Sequence, residues 1–318
     1  MTANKHEPVL LNEALAGLAV IRNGCYVDGT YGRGGHSGAI LERLGPGGRV
    51  LALDKDAEAV EHGRERFRDE PRFEIRHCGF ESLREVVADV FAGQRLQGVL
   101  LDLGTSSPQL DNGSRGFSFS RGGVLDMRMN QSVGPTASEW LLGAGEGEIV
   151  RVLRTFGEER YARRIARAIC DRQQAGPIGT TGELAELVAA AVPAREQRIH
   201  PATRVFQAVR IAVNRELDVL HDALEQSLDV LAAGGRLAVI SFHSLEDRIV
   251  KRFIATESRG NPAYAGLPDM PVEARPRLAA VGRLIRPSDS EISANPRSRS
   301  GRLRIAERLS WDLAGGPV

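Results

Sequence analysis

The chain has 318 residues, which is enough for about two compact domains of roughly 100–200 residues each. Its composition, 42% hydrophobic and 26% charged, excludes a disordered protein, and no apolar stretch approaches the ~20 residues that span a bilayer. The net charge of +1 argues against a protein that wraps nucleic acid around a strongly basic surface. The first residues lack the long apolar segment of a secretory signal, so we expect a cytoplasmic protein with no membrane partner.

Arginine and cysteine give two further indications. Residues 275–308 carry nine arginines, and clustered guanidinium groups suit phosphate binding, with a solvated basic tail as the alternative. The three cysteines are widely separated and lack the spacing of metal ligands. We therefore expect reduced thiols and assign no metal site.

The first third of the chain alternates short apolar runs with amphipathic segments of helical period. This pattern predicts βαβ units and a parallel, doubly wound α/β sheet. The predicted strands are Tyr26–Val27, Val50–Leu53, Phe73–Arg76 and Val99–Leu101, and the predicted helices are Ser37–Leu44, Ala57–Phe67 and Phe80–Val90.

From about Leu110 the strand signals stop, and roughly a hundred residues have helical patterns. One longer helix, with apolar residues from Val205 to Leu228 along one face, is predicted to end at Gly234–Gly235. A buried strand, Arg236–Phe242, and a terminal strand near Leu303, possibly antiparallel, then resume the sheet. We expect a Rossmann-like domain of residues 1–109 and 206–318, interrupted by a helical substrate-recognition domain of residues 110–205. Helices of the insertion are predicted at Thr136–Leu142, Glu148–Phe156, Glu159–Gln174 and Thr181–Val192.

A glycine-rich turn after the first strand indicates a cofactor site. Residues 28–37 read DGTYGRGGHS and lead into a helix, and the second strand is followed by Asp54, which can accept both hydroxyls of an adenosine ribose. Phe80 follows the third strand, where an adenine ring could rest, although a core aromatic is the alternative. Asp28 favours the cations of S-adenosylmethionine over a dinucleotide pyrophosphate, unless it only caps the turn.

The loop after the fourth strand carries the candidate chemistry. Asp102 ends this strand, and Ser107 and Pro108 follow in the sequence LDLGTSSPQ. Amino methyltransferases place an acid or amide and carbonyl oxygens here, which accept the hydrogens of an exocyclic amine. Phe117 and Phe119 are candidates for stacking on the base. Asp102, Ser107 and Pro108 are therefore the candidate catalytic residues.

Together these residues resemble the bacterial small-subunit ribosomal RNA methyltransferase H family, also called MraW. The resemblance covers nearly the whole chain. It rests on HEPVLL (6–11), DGTYGRGGHS (28–37), LDLGTSSPQLD (101–111), RGFSF (115–119), LDMRM (125–129), FGEER (156–160), HPATR (200–204) and ISFHSLEDRIVK (240–251). It implies a Rossmann-like methyltransferase with an inserted helical domain that methylates the N4 amino group of a cytidine in the decoding region of 16S ribosomal RNA.

The resemblance also implies the donor contacts. For S-adenosylmethionine these are Gly34, Gly35, His36, Asp54, Phe80, Asp102 and Gln109. One departure is Gly122–Val124, where the family usually has Asp-Gly-Pro. The implied partner is 16S ribosomal RNA within the small subunit, and no obligate protein partner is evident.

Three further residue groups have two interpretations each. His243 lies either at the rim of the substrate groove or beside a capping box formed by Ser244 and Asp247. Arg204 either contacts an RNA phosphate or belongs to the start of the long helix. The arginines of 160–167 form either a solvated helix face or a grip on RNA.

Three rival functions remain open at this level. A nicotinamide oxidoreductase would share the fold and Asp54. A non-catalytic RNA-binding factor would need no donor pocket, so the glycine turn and the Asp102 loop argue against it. An amino methyltransferase acting on another RNA, DNA or a protein amine would use the same chemistry.

For the mechanism we expect direct in-line transfer of the methyl group to the cytidine amine, with Asp102 or a water molecule taking the proton that the amine loses.

Overall fold

The computed structural model describes residues 8–193, 200–264 and 270–310. The chain divides into two compact units, of which one comprises Met1–Gly104 with Leu217–Val318 and the other comprises Thr105–Glu216. The sequence indicates boundaries near residues 110 and 205 instead. Along the described ranges, no helix combines the length and the apolar character needed to cross a membrane.

The first unit is built on a seven-stranded sheet, counted over the described residues, with the order β3-β2-β1-β4-β5-β7-β6. Strands β1 to β5 pair in parallel, and β7 runs antiparallel to both of its neighbours. The predicted antiparallel terminal strand is thereby confirmed. The strands are β1 Cys25–Asp28, β2 Arg49–Asp54, β3 Phe73–His77, β4 Leu96–Asp102, β5 Leu231–Ser241, β6 Leu278–Ala280 and β7 Arg302–Arg308.

Helices in both units begin and end close to their predicted positions in most cases. They are α1 Leu11–Leu18, α2 Gly35–Arg43, α3 Ala57–Arg66, α4 Leu83–Phe91, α5 Ser107–Asp111, α6 Ala137–Gly143, α7 Glu146–Gly157, α8 Ala162–Gln173, α9 Thr181–Ala191, α10 Ala202–Asn214, α11 Glu216–Val230, α12 Ser244–Glu257 and α13 Asp289–Ala294.

The central strands are buried on both faces, as their continuous runs of Val, Leu and Ala require. The α/β fold class predicted from the sequence is confirmed. Register then fixes the position of the strand-end acids: Asp28 lies opposite Ala52 of β2 and Leu100 of β4. Asp54 and Asp102 therefore each lie two residues beyond Asp28 at the same carboxyl edge of the sheet. This edge is where open α/β sheets bind their ligands.

The second unit has its own hydrophobic core, formed mainly by α6 to α10. Thr136 and Thr180 cap α6 and α9 through reciprocal hydrogen bonds with Glu139 and Glu183, which fixes where these helices begin. Arg115 is 2% exposed, and its guanidinium donates to the backbone oxygens of residues 128 and 129. Arg115 of the RGFSF sequence thus holds the backbone of this unit together.

Two predicted boundaries around the end of the helical segment are wrong. The single helix from Val205 to Leu228 is two helices, because Arg215 between α10 and α11 adopts a left-handed backbone with φ of 51°. The following strand begins at Leu231 rather than at Arg236, with an irregularity in its pairing to β4. Gly234, with φ of 73°, lies within that strand and does not terminate a helix.

Candidate active site

Three acids at the carboxyl edge of the sheet have different environments. Asp28 is fully buried, and both of its oxygens are engaged: Oδ1 accepts from the Thr30 backbone N–H at 3.2 Å, and Oδ2 accepts from Ser37 Oγ at 2.7 Å. The structure therefore supports the alternative in which Asp28 fixes the turn to the start of α2. Its charge still acts on a neighbour, since burial and then the charge of Asp28 raise the pKa of Asp102.

The side chain of Tyr31 packs against the glycine-rich turn and fixes its conformation. Tyr31 is 3% exposed, and its hydroxyl lies 2.9 Å from His62 Nδ1. Gly34, the residue before α2, has a left-handed backbone with φ of 69°, and a Cβ there would overlap the Tyr31 ring. Glycine is therefore required at this position for both backbone conformation and space. The turn presents the amino end of α2 at the carboxyl edge of the sheet.

Asp54 keeps acceptor capacity that the protein does not use. Its Oδ2 accepts from the Gly32 N–H and its Oδ1 from the Asp56 N–H, both at 2.8 Å. Each carboxylate oxygen has a second lone pair, so two further hydroxyls can be accepted. Burial raises the pKa of Asp54 to about 6, although the two backbone hydrogen bonds oppose this rise.

Phe80 lies just beyond β3 at the start of a short 3₁₀ helix and is half-buried. The Lys55 ammonium lies 5.8 Å from its ring centroid and 3.0 Å from Glu81 Oε1. Glu81 Oε2 is buried with no hydrogen-bond partner among the described residues. The surroundings of Phe80 thus offer a ring face and an unused acceptor, which suits a base that carries an amino group.

His36, which is buried, and Asp102, which is partly buried, lie side by side, and each has one buried polar atom without a partner among the described residues. His36 Nδ1 lies 3.7 Å from Asp102 Oδ2, while His36 Nε2 and Asp102 Oδ1 have no hydrogen-bond partner in the described parts of the chain. Burial, and then the charges of Asp28 and Glu246, raise the pKa of Asp102 well above its usual range. Burial lowers the pKa of His36. Both pKa shifts favour the uncharged forms of the two side chains.

One positioning residue was missed at the level of sequence. Thr30 Oγ1 accepts a hydrogen bond of 2.6 Å from the Asp102 backbone N–H, which ties the end of β4 to the glycine turn. A threonine in a glycine-rich turn carries no sequence signal for this contact.

These features fit an adenosine-bearing donor with a cationic end. Buried polar atoms without partners lose hydrogen bonds to water, and a ligand that supplies partners removes that penalty. Asp54 offers acceptors for ribose hydroxyls, and Asp102 offers an acceptor oxygen for a cationic group. The Asp102 side chain is 23% exposed, so a ligand can reach it. His36, Asp54, Phe80 and Asp102 all lie in the sheet unit.

Ser107, Pro108 and Gln109 lie in the helical unit. The sequence suggests a loop here, but Ser107–Asp111 is the short helix α5, capped by Ser106, whose backbone N–H donates to Gln109 Oε1 at 3.0 Å. Gln109 is 5% exposed. Its side-chain oxygen thus caps a helix, and its role as a donor contact stays a prediction.

The predicted base-stacking rings have unequal access to solvent. Phe117 is 7% exposed and belongs to the core of the helical unit, which favours a packing role over stacking on a base. Phe119 is half-buried, with the His200 ring stacked on it at 4.5 Å between centroids. Arg204, on α10, is exposed and has no ion-pair partner in the described ranges, as a phosphate contact requires.

His243 caps α12, and the predicted capping box is shifted by one residue. The box joins His243 and Glu246 instead of Ser244 and Asp247: His243 Nδ1 accepts from the Glu246 N–H at 3.4 Å, and Glu246 Oε2 accepts from the His243 N–H at 3.3 Å. Asp247 pairs with Arg304 instead. A substrate role for His243 stays a prediction.

The strand order defines a Rossmann-like domain with three acids at its carboxyl edge, and this is the fold class of S-adenosylmethionine-dependent methyltransferases. The chain belongs to the MraW methylase family, whose model matches residues 3–309. It is 54% identical over 309 residues to the ribosomal RNA small subunit methyltransferase H of Thioalkalivibrio sulfidiphilus (strain HL-EbGR7), with 97% of this chain and 98% of that protein covered.

Two solved structures are similar to the chain at low identity. An rRNA methylase from Streptococcus thermophilus is 14% identical, with a TM-score of 0.44 and coverage of 96% of this chain and 99% of that one. An Aeropyrum pernix fibrillarin with natively bound S-adenosyl-L-methionine is 7% identical, with a TM-score of 0.40 and coverage of 92% and 73%. Both TM-scores lie below 0.5, so the assignment depends on the family match and the curated relative.

The family match confirms the resemblance found in the sequence. It also confirms S-adenosylmethionine as the cofactor, and the oxidoreductase alternative is thereby set aside.

Proposed function

We propose that this protein methylates the N4 amino group of a cytidine in the decoding region of 16S ribosomal RNA. The observation that carries the proposal is the buried, partly unpartnered carboxyl of Asp102 at the end of β4, in a chain 54% identical to a protein named ribosomal RNA small subunit methyltransferase H. A carboxyl at this edge can accept the hydrogens of an exocyclic amine. Bound S-adenosylmethionine supplies an electrophilic methyl group.

The sheet unit holds the donor in this proposal. Asp54 accepts the ribose hydroxyls through the free lone pairs of its two oxygens, and Phe80 provides a face for the adenine ring. Gly34 and Gly35 bring the backbone at the start of α2 close to the donor, and His36 Nε2 offers a hydrogen-bonding atom toward it.

Asp102 has two tasks that follow from its surroundings. Its oxygens orient the amine, and the carboxylate, once ionised, receives the proton that the amine loses as it is methylated. His36 positions this carboxyl by its contact with Oδ2. Thr30 holds the Asp102 backbone by accepting a hydrogen bond from its N–H. Because the amine becomes acidic as the methyl is transferred, no strongly basic group is required.

The helical unit recognises the RNA in this proposal. Ser107 and Pro108, at the start of α5, are the further candidate catalytic residues of this proposal. Arg204 presents an exposed guanidinium on α10 for a phosphate, and α8 turns Arg163, Arg164 and Arg167 away from its buried apolar face. A base in structured RNA must leave its stack before it reaches a donor, and backbone contacts can stabilise that state.

Donor binding should strengthen as the pH rises through about 6. In the donor-free protein the raised pKa values favour protonated Asp54 and Asp102, whereas ribose hydroxyls and a nearby cation favour the carboxylates. Binding therefore releases protons, and affinity should rise up to about tenfold per pH unit for each group until that group ionises without the donor. Calorimetric titration with S-adenosylmethionine in buffers of different ionisation enthalpy measures the released protons. Proton uptake, or affinity independent of pH between 5 and 8, would contradict this account.

The substrate class is tested by transfer of a labelled methyl group from S-adenosylmethionine. Purified protein is incubated with intact small subunits, with RNA stripped from them, and with large-subunit RNA, duplex DNA and total protein as separate acceptors. We expect label in small-subunit RNA presented in at least one of its two forms. Label confined to another RNA, to DNA or to protein would support the alternative amine acceptors.

A further inference from the structure

A basic pocket of about 300 Å³ lies on the sheet unit between α12 and the residues that follow β6. Its floor is apolar and includes Ile254 and Ile305, and its lining includes four cationic side chains and no acidic one. The cationic residues are Lys251, Arg259, Arg283 and Arg304.

Among the residues that the structure describes, three of these cations have no ion-pair partner. Arg304 is held by Asp247, with Nε 2.7 Å from Oδ1 and Nη2 3.2 Å from Oδ2. Lys251, Arg259 and Arg283 are exposed and make no ion pair or side-chain hydrogen bond with any described residue. The acids nearest to them along α12 are committed elsewhere, since Asp247 pairs with Arg304 and Glu257 pairs with Arg277.

An uncharged hydrogen-bond donor, the hydroxyl of Ser258, lies in the same pocket. Ser258, at the carboxyl end of α12, lines the pocket, and its hydroxyl is buried without a hydrogen-bond partner in the described structure. A buried hydroxyl without a partner loses its hydrogen bonds to water, and an acceptor placed in the pocket restores one. The carboxyl end of a helix carries about half a unit of negative charge, which three unpaired cations outweigh.

Cations without partners around an unused hydroxyl are complementary to an oxyanion. A phosphodiester offers two charged oxygens for the cations and the hydroxyl, and the apolar floor can accommodate an adjoining sugar or base face. Two strands, β5 and β7, separate β6 from β4, the strand that ends in Asp102. The pocket is lined by residues of β7 and β6, which lie two and three strand spacings from β4; at about 4.8 Å per spacing this is roughly 10–14 Å across the sheet, or about three to four nucleotides at ~3.4 Å each.

We propose that this pocket binds the phosphate backbone of the substrate RNA, a few nucleotides away from the target base. The inference rests on the proposed function, since it takes RNA to be the substrate. It assigns RNA contact to the sheet unit as well as to the helical unit. Within the basic C-terminal region, the proposal assigns RNA contact to Arg283 and not to Arg277. Arg277 is already paired with Glu257 and Glu225.

The test is the salt dependence of RNA binding by a triple variant, Lys251→Gln, Arg259→Gln and Arg283→Gln. A matched control, Arg43→Gln, Arg64→Gln and Arg68→Gln, removes the same charge from the region of α2 and α3 in the same unit. Binding of stripped small-subunit RNA is measured at a series of KCl concentrations. S-adenosylmethionine affinity, measured on the same preparations, reports whether each variant is folded.

We expect the triple variant to lower the slope of log K against log salt by about 0.7 to 2, because each phosphate neutralised on a single strand contributes about 0.7 and the three cations neutralise between one and three phosphates. The control variant should leave the slope unchanged. An unchanged slope in the triple variant, or an equal fall in the control, would overturn the proposal.

A second arm separates RNA from a small anion. If inorganic phosphate binds the wild-type protein and not the triple variant while the RNA slopes agree, the pocket takes a small anion and the proposal is wrong. Because binding is measured without methyl transfer, these outcomes differ from failure of the proposed function, in which wild-type protein transfers no methyl group to ribosomal RNA.

Discussion

Replacing Asp54 with Asn should weaken S-adenosylmethionine binding about 100-fold. The amide has one oxygen in place of two, so it cannot accept from both the Gly32 and the Asp56 N–H groups and also from two ribose hydroxyls. Hydrogen bonds to a charged acceptor contribute about 1.5–3 kcal/mol each, and the loss of one or two of them corresponds to an effect of this size. Equilibrium titration with the donor at pH 8, where Asp54 is ionised, measures it.

The control for this substitution is Asp69→Asn, which removes an exposed acid in the same unit. Its donor affinity should equal that of the wild type. The pH dependence of binding below pH 6 should also weaken in Asp54→Asn, because one of the two titrating groups is gone. If Asp54→Asn binds the donor within threefold of wild type, the carboxyl does not hold the ribose and the placement of the donor is wrong.

Replacing Asp102 with Ala should lower the single-turnover rate of methyl transfer about 100- to 1,000-fold with donor and RNA both saturating. The loss removes the oxygens that orient the amine and receive its proton, and losing one such electrostatic contact has effects of this order. Donor affinity should fall less, by about tenfold. Rapid-quench measurement of labelled RNA separates the two quantities.

The same substitution should raise the thermal stability of the donor-free protein. Asp102 Oδ1 is buried without a partner, and a buried polar atom of this kind destabilises the folded state. Asp102→Asn is the matched variant, since it keeps one acceptor oxygen but cannot take a proton, and it should react at an intermediate rate. A loss of donor affinity with an unchanged single-turnover rate in Asp102→Ala would restrict this residue to donor binding.

The strand-end acids were predictable because they follow from periodicity alone. Short apolar runs separated by helical segments give a parallel sheet, and a parallel sheet brings the ends of its strands to one edge. Asp54 and Asp102 were therefore placed correctly at the ends of β2 and β4. The role of Asp28 was not fixed by the same reasoning, because it depends on whether Thr30 and Ser37 reach its two oxygens.

Other features of the fold have no sequence pattern that would predict them. The break at Arg215 has no glycine or proline to mark it, and β6 has three residues, too few to show an alternation. The Ser-x-x-Asp pattern predicted a capping box, yet His243 caps α12 one residue earlier with a ring nitrogen. Sequence could not tell which of two nearby phenylalanines, Phe117 or Phe119, is buried, since that depends on packing in the helical unit.

The nucleoside that receives the methyl group tests the central claim most directly. Small-subunit RNA is incubated with the protein and S-adenosylmethionine carrying a trideuterated methyl group, then digested and analysed by mass spectrometry, with a parallel digest into mapped fragments. The account predicts trideuterated N4-methylcytidine in a fragment from the decoding region, formed about 100- to 1,000-fold more slowly with Asp102→Ala. Deuterium in any other nucleoside, or N4-methylcytidine elsewhere in the RNA, would contradict it.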